Sequence, residues 1–231
     1  MKIFVTGGTG YIGSHTVVEL QKNGYDVIIA DNLVNSSLDV LDGIEKITGI
    51  RPEFEEIDLT DREVTRDFFA RHSDLRAVIH FAALKAVGES VNKPLEYYFN
   101  NLNSLMNVLT CMREFKVPNL VFSSSCTVYG QADVLPVTEK TPRHEAESPY
   151  GNTKVMSEDI IRDLMRVEPD MKALALRYFN PIGAHPTAFI GELPNGVPNN
   201  LIPYLTQTAI GIREQLSVFG DDYNTPDGSP L

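Results

Sequence analysis

Short apolar runs alternate along this chain with longer stretches whose apolar residues recur every three or four positions. The runs KIFVT (2–6), DVIIA (26–30), EFEEI (53–57), AVIHF (77–81), LVFSSS (120–125) and ALALRYF (173–179) read as strands. The segments 12–23, 61–72, 94–115 and 150–167 read as helices. Strands alternating with helices predict a parallel sheet covered on both faces. A doubly wound α/β fold of the Rossmann type is the expected architecture.

After Phe179 the pattern breaks. NPIGAHPTAFIGELPNGVPNN is rich in Pro, Gly and Asn and reads as a long loop, a kind of segment that is usually functional. A short helix (201–212), a strand-like LSVFG (216–220) and the turn-rich DDYNTPDGSPL follow. We therefore expect one domain over 1–179 and the start of a smaller second domain over 180–231, its last element left unclosed.

Composition narrows the classes. At 42% hydrophobic and 22% charged residues, the 231-residue chain has the balance of a soluble globular protein. A formal charge of -11 argues against general affinity for nucleic acid or an anionic membrane surface, while leaving room for a local basic site. No apolar run approaches a membrane span, and MKIFVTGGTGYIG is too glycine-rich for a secretory leader. Two cysteines, Cys111 and Cys126, make no disulfide framework, and Cys111 in its helix reads as a small buried apolar residue. The expected location is the reducing cytoplasm.

The first chemical signal is VTGGTGYIG, which places Gly7, Gly10 and Gly13 between the first strand and the first helix. Such glycines allow a tight turn and bring backbone close to a pyrophosphate at a helix N-terminus. Asp31 closes the second strand about 20 residues on, where a carboxylate binds ribose hydroxyls. It repels a 2′-phosphate, and NLVNSS after it has no Arg or Lys to receive one, so NAD is favoured over NADP. Asp58, after the third strand, suits an adenine amino group. Phe81, Ala82 and Ala83 end the fourth strand with small residues that let backbone approach a cofactor, and Lys85 follows.

The second signal is SPYGNTK. Tyr150 and Lys154 stand four apart at the start of a helix and share a face. A cation beside a phenol lowers its pKa from about 10, making a proton acceptor that works near neutrality. The hydroxyls of FSSSCTVYG, at the end of the fifth strand, point to the same crevice. A hydroxyl, a phenolate and an ammonium beside a nicotinamide suit hydride transfer at an alcohol carbon.

TGGTGYIGSHT, DNLVNSS, HFAALKAVGESVNKPLEYY, FSSSCTVYG, SPYGNTK, LRYFNPIGAHP and GVPNNLIPY together resemble the extended short-chain dehydrogenase/reductase family. Within it they are similar to the branch that epimerises UDP-hexoses, interconverting UDP-galactose and UDP-glucose at C4. The resemblance implies Tyr150 as base, Lys154 as its partner and Ser125 as the hydroxyl on the sugar oxygen. It implies cofactor contacts from Tyr11, Ile12, Asp31, Asn32, Asn35, Ser36, Asp58, Leu59, Lys85, Asn100 and Phe179. Asn180, Asn200, Leu201 and Phe219 match its UDP-sugar positions. Dehydratase relatives carry an acidic pair before VYG, and decarboxylase relatives a Glu at the second of those places. Here the two positions are Cys126 and Thr127, which counts against both reactions.

Cys126 replaces the branch's usual Ala, and Ala83 a usual Gly. Family members continue well past DGSPL, with an arginine for the UDP phosphates, so the resemblance implies a C-terminally truncated chain. Two other readings stay open: a non-catalytic NAD-binding module, and an epimerase of another UDP-sugar such as UDP-N-acetylglucosamine. The resemblance also implies a homodimer through helices 94–115 and 150–167. On sequence, Leu102, Leu105, Met106, Leu109 and Met112 serve equally as dimer face or core.

Overall fold

Six strands form one parallel sheet: β1 (Lys2–Thr6), β2 (Asp26–Asp31), β3 (Glu53–Glu56), β4 (Leu75–His80), β5 (Asn119–Ser125) and β6 (Lys172–Tyr178). Their order is β3-β2-β1-β4-β5-β6, the doubly wound arrangement. The strand order reverses between β1 and β4, so a ligand crevice is expected at their C-terminal ends. The computed structural model describes residues 1–228, in two compact units, Met1–Gly191 and Glu192 onward.

Alternation along β1 builds two cores. Phe4 turns to one face, against Phe68 and Phe69 of α3 (Arg62–Arg71) and Leu105, Leu109 and Met112 of α5 (Pro94–Glu114). Its ring centroid is 4.4 Å from that of Phe68 and 5.6 Å from that of Phe69. Ile3 and Val5 turn to the other face, against Val17 and Val18 of α1 (Tyr11–Lys22) and Leu41 and Ile44 of α2 (Asp39–Thr48). Cys111 is buried in the first core, and burial pushes its thiol up to about 11, the state of an inert apolar filler.

Every expected strand of the first unit forms within two residues of its predicted ends. Two helices are additional. In α2, Gly43 argues against a helix on propensity, yet a Cβ there would come 2.3 Å from the Phe189 carbonyl oxygen. The glycine admits the 189–190 segment against the helix. The other addition, α4 (Val87–Asn92), is too short for periodicity to reveal. The helix α6 (Pro149–Val167) opens at Ser148, whose Oγ accepts the Gly151 N–H at 3.1 Å.

In the second unit, α7 spans Leu201–Ala209 and ends short of the expected 212. Gly211 adopts φ of 79° there and its N–H turns back to the Thr208 carbonyl. Arg213 closes the helix end, lying 4.9 Å from the Tyr204 ring centroid and bonding Gln207. LSVFG is not a strand: its alternating Leu216 and Val218 are exposed, and among the described residues no strand pairs with it.

Candidate active site

The turn after β1 is shaped by what glycine omits. Gly7 has φ of 66°, and a Cβ on it would come 2.8 Å from the Ala82 nitrogen. A Cβ on Gly13 would come 2.2 Å from the Gly7 carbonyl oxygen. Gly10 is the N-cap of α1 without a side-chain cap, and the first turn carries no acidic residue. The unneutralised N–H groups there suit an anion. Tyr11 and Ile12 lie in that turn, the Tyr11 hydroxyl donating to the Gly183 carbonyl at 2.6 Å.

Asp31 stands beside the glycine turn, at the end of β2. It accepts the Thr9 N–H at 3.3 Å, the Leu33 N–H at 3.0 Å and the Ser36 hydroxyl at 3.4 Å. Thr9 and Ser36 are themselves bonded at 2.7 Å, which ties the loop holding Asn32, Asn35 and Ser36 to the glycine turn. Phe81, Ala82 and Ala83 leave β4 next to Gly7, with the Ala82 N–H bonded to Thr6 Oγ1 at 3.2 Å. Lys85 is exposed on the following turn, and Asn100 on α5 donates to Asn101 Oδ1 at 3.0 Å. Asp58 closes the turn after β3 by accepting from Thr60, and Leu59 beside it is buried. Asn107, which sequence reasoning missed, holds that turn through the Leu59 and Thr60 carbonyls.

The chemical group assembles between β5 and α6. Ser125 ends β5, and its Oγ accepts the Thr127 N–H at 3.2 Å. The Tyr150 phenol lies close enough to Ser125 for that hydroxyl to favour its ionised form. Lys154 is only 4% exposed. Its Nζ donates to the Ser123 carbonyl at 2.8 Å and lies 5.8 Å from the Tyr150 ring centroid and 4.9 Å from that of Phe122. Burial lowers its pKa to about 8. Burial also raises the Tyr150 phenol, against the opposing influence of the Ser125 hydroxyl. The simple expectation of a phenol lowered by its neighbouring cation therefore fails for the protein alone. Desolvation dominates, and one donor of the ammonium goes to the Ser123 carbonyl.

Phe122 and His80 were not anticipated. The His80 ring stacks on Phe122 at 6.2 Å and bonds Thr6 at 2.9 Å, and burial holds its pKa down at about 3. Lys154 therefore rests on an aromatic platform backed by a neutral imidazole. An apolar-looking AVIHF gave no signal for this. Beside Ser125, Thr127 Oγ1 is buried and has no hydrogen-bond partner among the described residues.

Phe179 and Asn180 are exposed where β6 ends. Asn200, Leu201 and Phe219 belong to the second unit, where all three are exposed. Asn200 bonds Glu192.

A crowded glycine turn opening on a helix N-terminus, with a carboxylate at its side, defines a dinucleotide-binding α/β domain. The Tyr, Lys and Ser at the same edge of the sheet make it one equipped for proton transfer. The chain belongs to the NAD dependent epimerase/dehydratase family, whose model matches residues 3–227. It is 52% identical to UDP-glucose 4-epimerase of Dictyostelium discoideum over 228 residues, 99% of this chain and 66% of that protein. It is 54% identical to "Bifunctional protein GAL10" of Pachysolen tannophilus over 233 residues, 99% of this chain and 34% of that one. Among solved structures, UDP-glucose 4-epimerase from Bifidobacterium longum in complex with NAD+ and UDP superposes with a TM-score of 0.95 at 46% identity, covering 99% of this chain and 68% of that one. This chain thus spans about two thirds of the length of the single-function relative and about a third of the bifunctional one.

Proposed function

We propose that this protein is an NAD-dependent epimerase that interconverts UDP-galactose and UDP-glucose at C4 through a 4-keto sugar. The observation that carries the reading is a buried Lys154 whose Nζ lies 5.8 Å from the Tyr150 ring centroid, beside Ser125 at the edge of the sheet where the glycine turn opens. Similarity to UDP-glucose 4-epimerases over nearly the whole chain supports it. The residues fit NAD: the glycine turn has no room for side chains and Asp31 stands beside it.

In this reading Gly7, Gly10 and Gly13 receive the pyrophosphate and Asp31 the ribose hydroxyls. Asn32, Asn35, Ser36, Asp58, Leu59, Phe81, Ala82, Ala83, Lys85, Asn100 and Phe179 complete the surround, within a cofactor domain over 1–179. Asn180, Asn200, Leu201 and Phe219 contact the UDP-sugar from the region 180–231. When bound, NAD supplies the hydride acceptor and a positively charged ring. As the phenolate, the form that the positive ring and Lys154 together favour, Tyr150 Oη takes the proton of the C4 hydroxyl. Ser125 Oγ already accepts the Thr127 N–H, so its own proton is available to the sugar oxygen. Lys154 holds positive charge beneath the phenolate. Inversion requires the keto sugar to offer its other face, so the protein must grip the UDP end and leave the hexose free to turn.

We assign a homodimer built on α5 and α6. Leu95, Phe99 and Met106 are exposed along one face of α5, and Met156 is exposed on α6. We place the protein in the cytoplasm. Among the described residues no helix is long and apolar enough to cross a membrane, and both cysteines are free.

The test is incubation with UDP-galactose and NAD, following UDP-glucose. Tyr150→Phe should lower kcat by about 10²–10⁴-fold, the usual worth of general acid–base catalysis, with NAD still bound. Wild-type protein that binds NAD but forms no UDP-glucose overturns the reading.

A further inference from the structure

Glu158 takes no part in the proposed reaction, yet it lies four residues beyond Lys154 and eight beyond Tyr150 on α6. Its side chain is 9% exposed. Oε1 accepts the Ser124 hydroxyl at 2.6 Å and Arg177 Nε at 2.9 Å, and Oε2 accepts Arg177 Nη2 at 2.8 Å. Arg143 Nη1 stands 3.5 Å from Oε2 while its Nη2 bonds Asp159 at 2.6 Å. Ser124 is on β5, Arg177 on β6, and Arg143 on the segment leading into α6. One carboxylate therefore ties the helix to both strands beneath it. Arg177 also covers the Tyr129 ring, 4.8 Å from its centroid, in the 3₁₀ turn (Cys126–Tyr129) that follows Ser125. Burial by itself raises the Glu158 carboxyl, but Arg177, Ser124 and Arg143 outweigh it and keep it below its ordinary range.

A buried ion pair of this kind adds little net stability, because desolvation offsets the attraction; its best-attested use is to fix register. Ser124 immediately precedes Ser125, and Glu158 shares its helix with Tyr150 and Lys154. Bonds from two strands to one side chain fix both the rotation of α6 and its position along its axis. A slip of α6 takes Tyr150 away from Ser125 and Lys154 away from the Ser123 carbonyl.

We propose that Glu158 is a positioning residue: by bonding Ser124 and Arg177 it sets the register of α6 against β5, and so holds Tyr150 and Lys154 opposite Ser125. Its consequence for turnover rests on the epimerase reading; its consequence for geometry does not.

The experiment compares the wild-type protein with Glu158→Gln and with the uncharged pair Glu158→Met/Arg177→Met. Turnover of UDP-galactose is measured beside melting temperature. The titration of Lys154 is followed by NMR of protein carrying ¹³C-lysine, assigned with Lys154→Arg, well below the melting temperature. In both variants kcat should fall about 100-fold, the scale of an ångström of misplacement, with KM retained. The Lys154 midpoint should move up from about 8 as the ammonium gains water. The uncharged pair should recover the wild-type melting temperature but neither kcat nor the midpoint. Recovery of kcat along with melting temperature, or an unmoved midpoint in both variants, overturns the proposal. If the wild-type protein itself has no epimerase activity, the functional reading fails and the Lys154 midpoint alone decides the register claim.

Discussion

At the scale of single residues, the cost of the site is concentrated in Lys154. A folded-state pKa of about 8 against the ordinary lysine value of 10.5 means that the unfolded chain binds more protons between those two pH values. Stability therefore rises with pH across that window, and below it the buried ammonium carries a penalty of about 3 kcal/mol by linkage. Tyr150 acts in the opposite sense. Its folded pKa is raised, so the stability it contributes is present below pH 10 and is lost as pH rises through the folded value. Lys154→Met should therefore melt higher than wild type at pH 7, and the gap should close as pH approaches 10. Calorimetric melts at pH 7, 8.5 and 10 check this, and a gap independent of pH refutes it. Tyr150, Lys154 and Ser125 were legible as residues because their types and spacing carry the chemistry. The direction of the Tyr150 shift was not, since it depends on how much water the fold removes.

Among elements, the same division recurs. Five of the six strands were legible as short apolar runs, while β3, EFEE, holds the single apolar Phe54 and was read as a strand all the same. The helix α2 was hidden by Gly43, and its reason lies about 145 residues further along the chain, at the Phe189 carbonyl. LSVFG carried a strand pattern without a partner, and alternation alone does not make a strand. The turn between β1 and α1 is the element where sequence and space agree most closely. Gly13 is helical, so an alanine there meets no conformational penalty; the obstacle is the Gly7 carbonyl oxygen 2.2 Å from the new Cβ. Gly13→Ala must push the turn and α1 apart, costing about 3 kcal/mol or more as an overpacked backbone contact. Its NAD affinity should fall by more than tenfold, read by isothermal titration, while Gly24→Ala, open on all sides but with φ of 78°, should lose stability alone.

For the whole molecule the question is which apolar surface belongs to the core and which to a second copy. Sequence periodicity put Leu102, Leu105, Met106, Leu109 and Met112 in one group, and the fold separates them, with Leu102 half-buried. Leu105, Leu109 and Met112 are buried against β1, α3 and the neighbouring strands, while Met106 is exposed with Leu95 and Phe99. A helix of 21 residues has room for two apolar faces, and only the burial of one identifies the other. Leu105→Glu therefore cannot report on association: it buries an unpaired carboxylate in the core and should unfold the protein, at a cost of about 4 kcal/mol or more. Phe99→Glu, at 62% exposure, changes a residue that the fold does not need. It should leave the melting temperature of the monomer near that of wild type and reduce the sedimentation coefficient from that of a dimer to that of a monomer. A Phe99→Glu variant that sediments as wild type does, at a concentration where wild type is dimeric, moves the interface off this face of α5. If wild type is itself monomeric at every concentration tried, the exposed row on α5 needs another explanation, and the homodimer assignment falls with it.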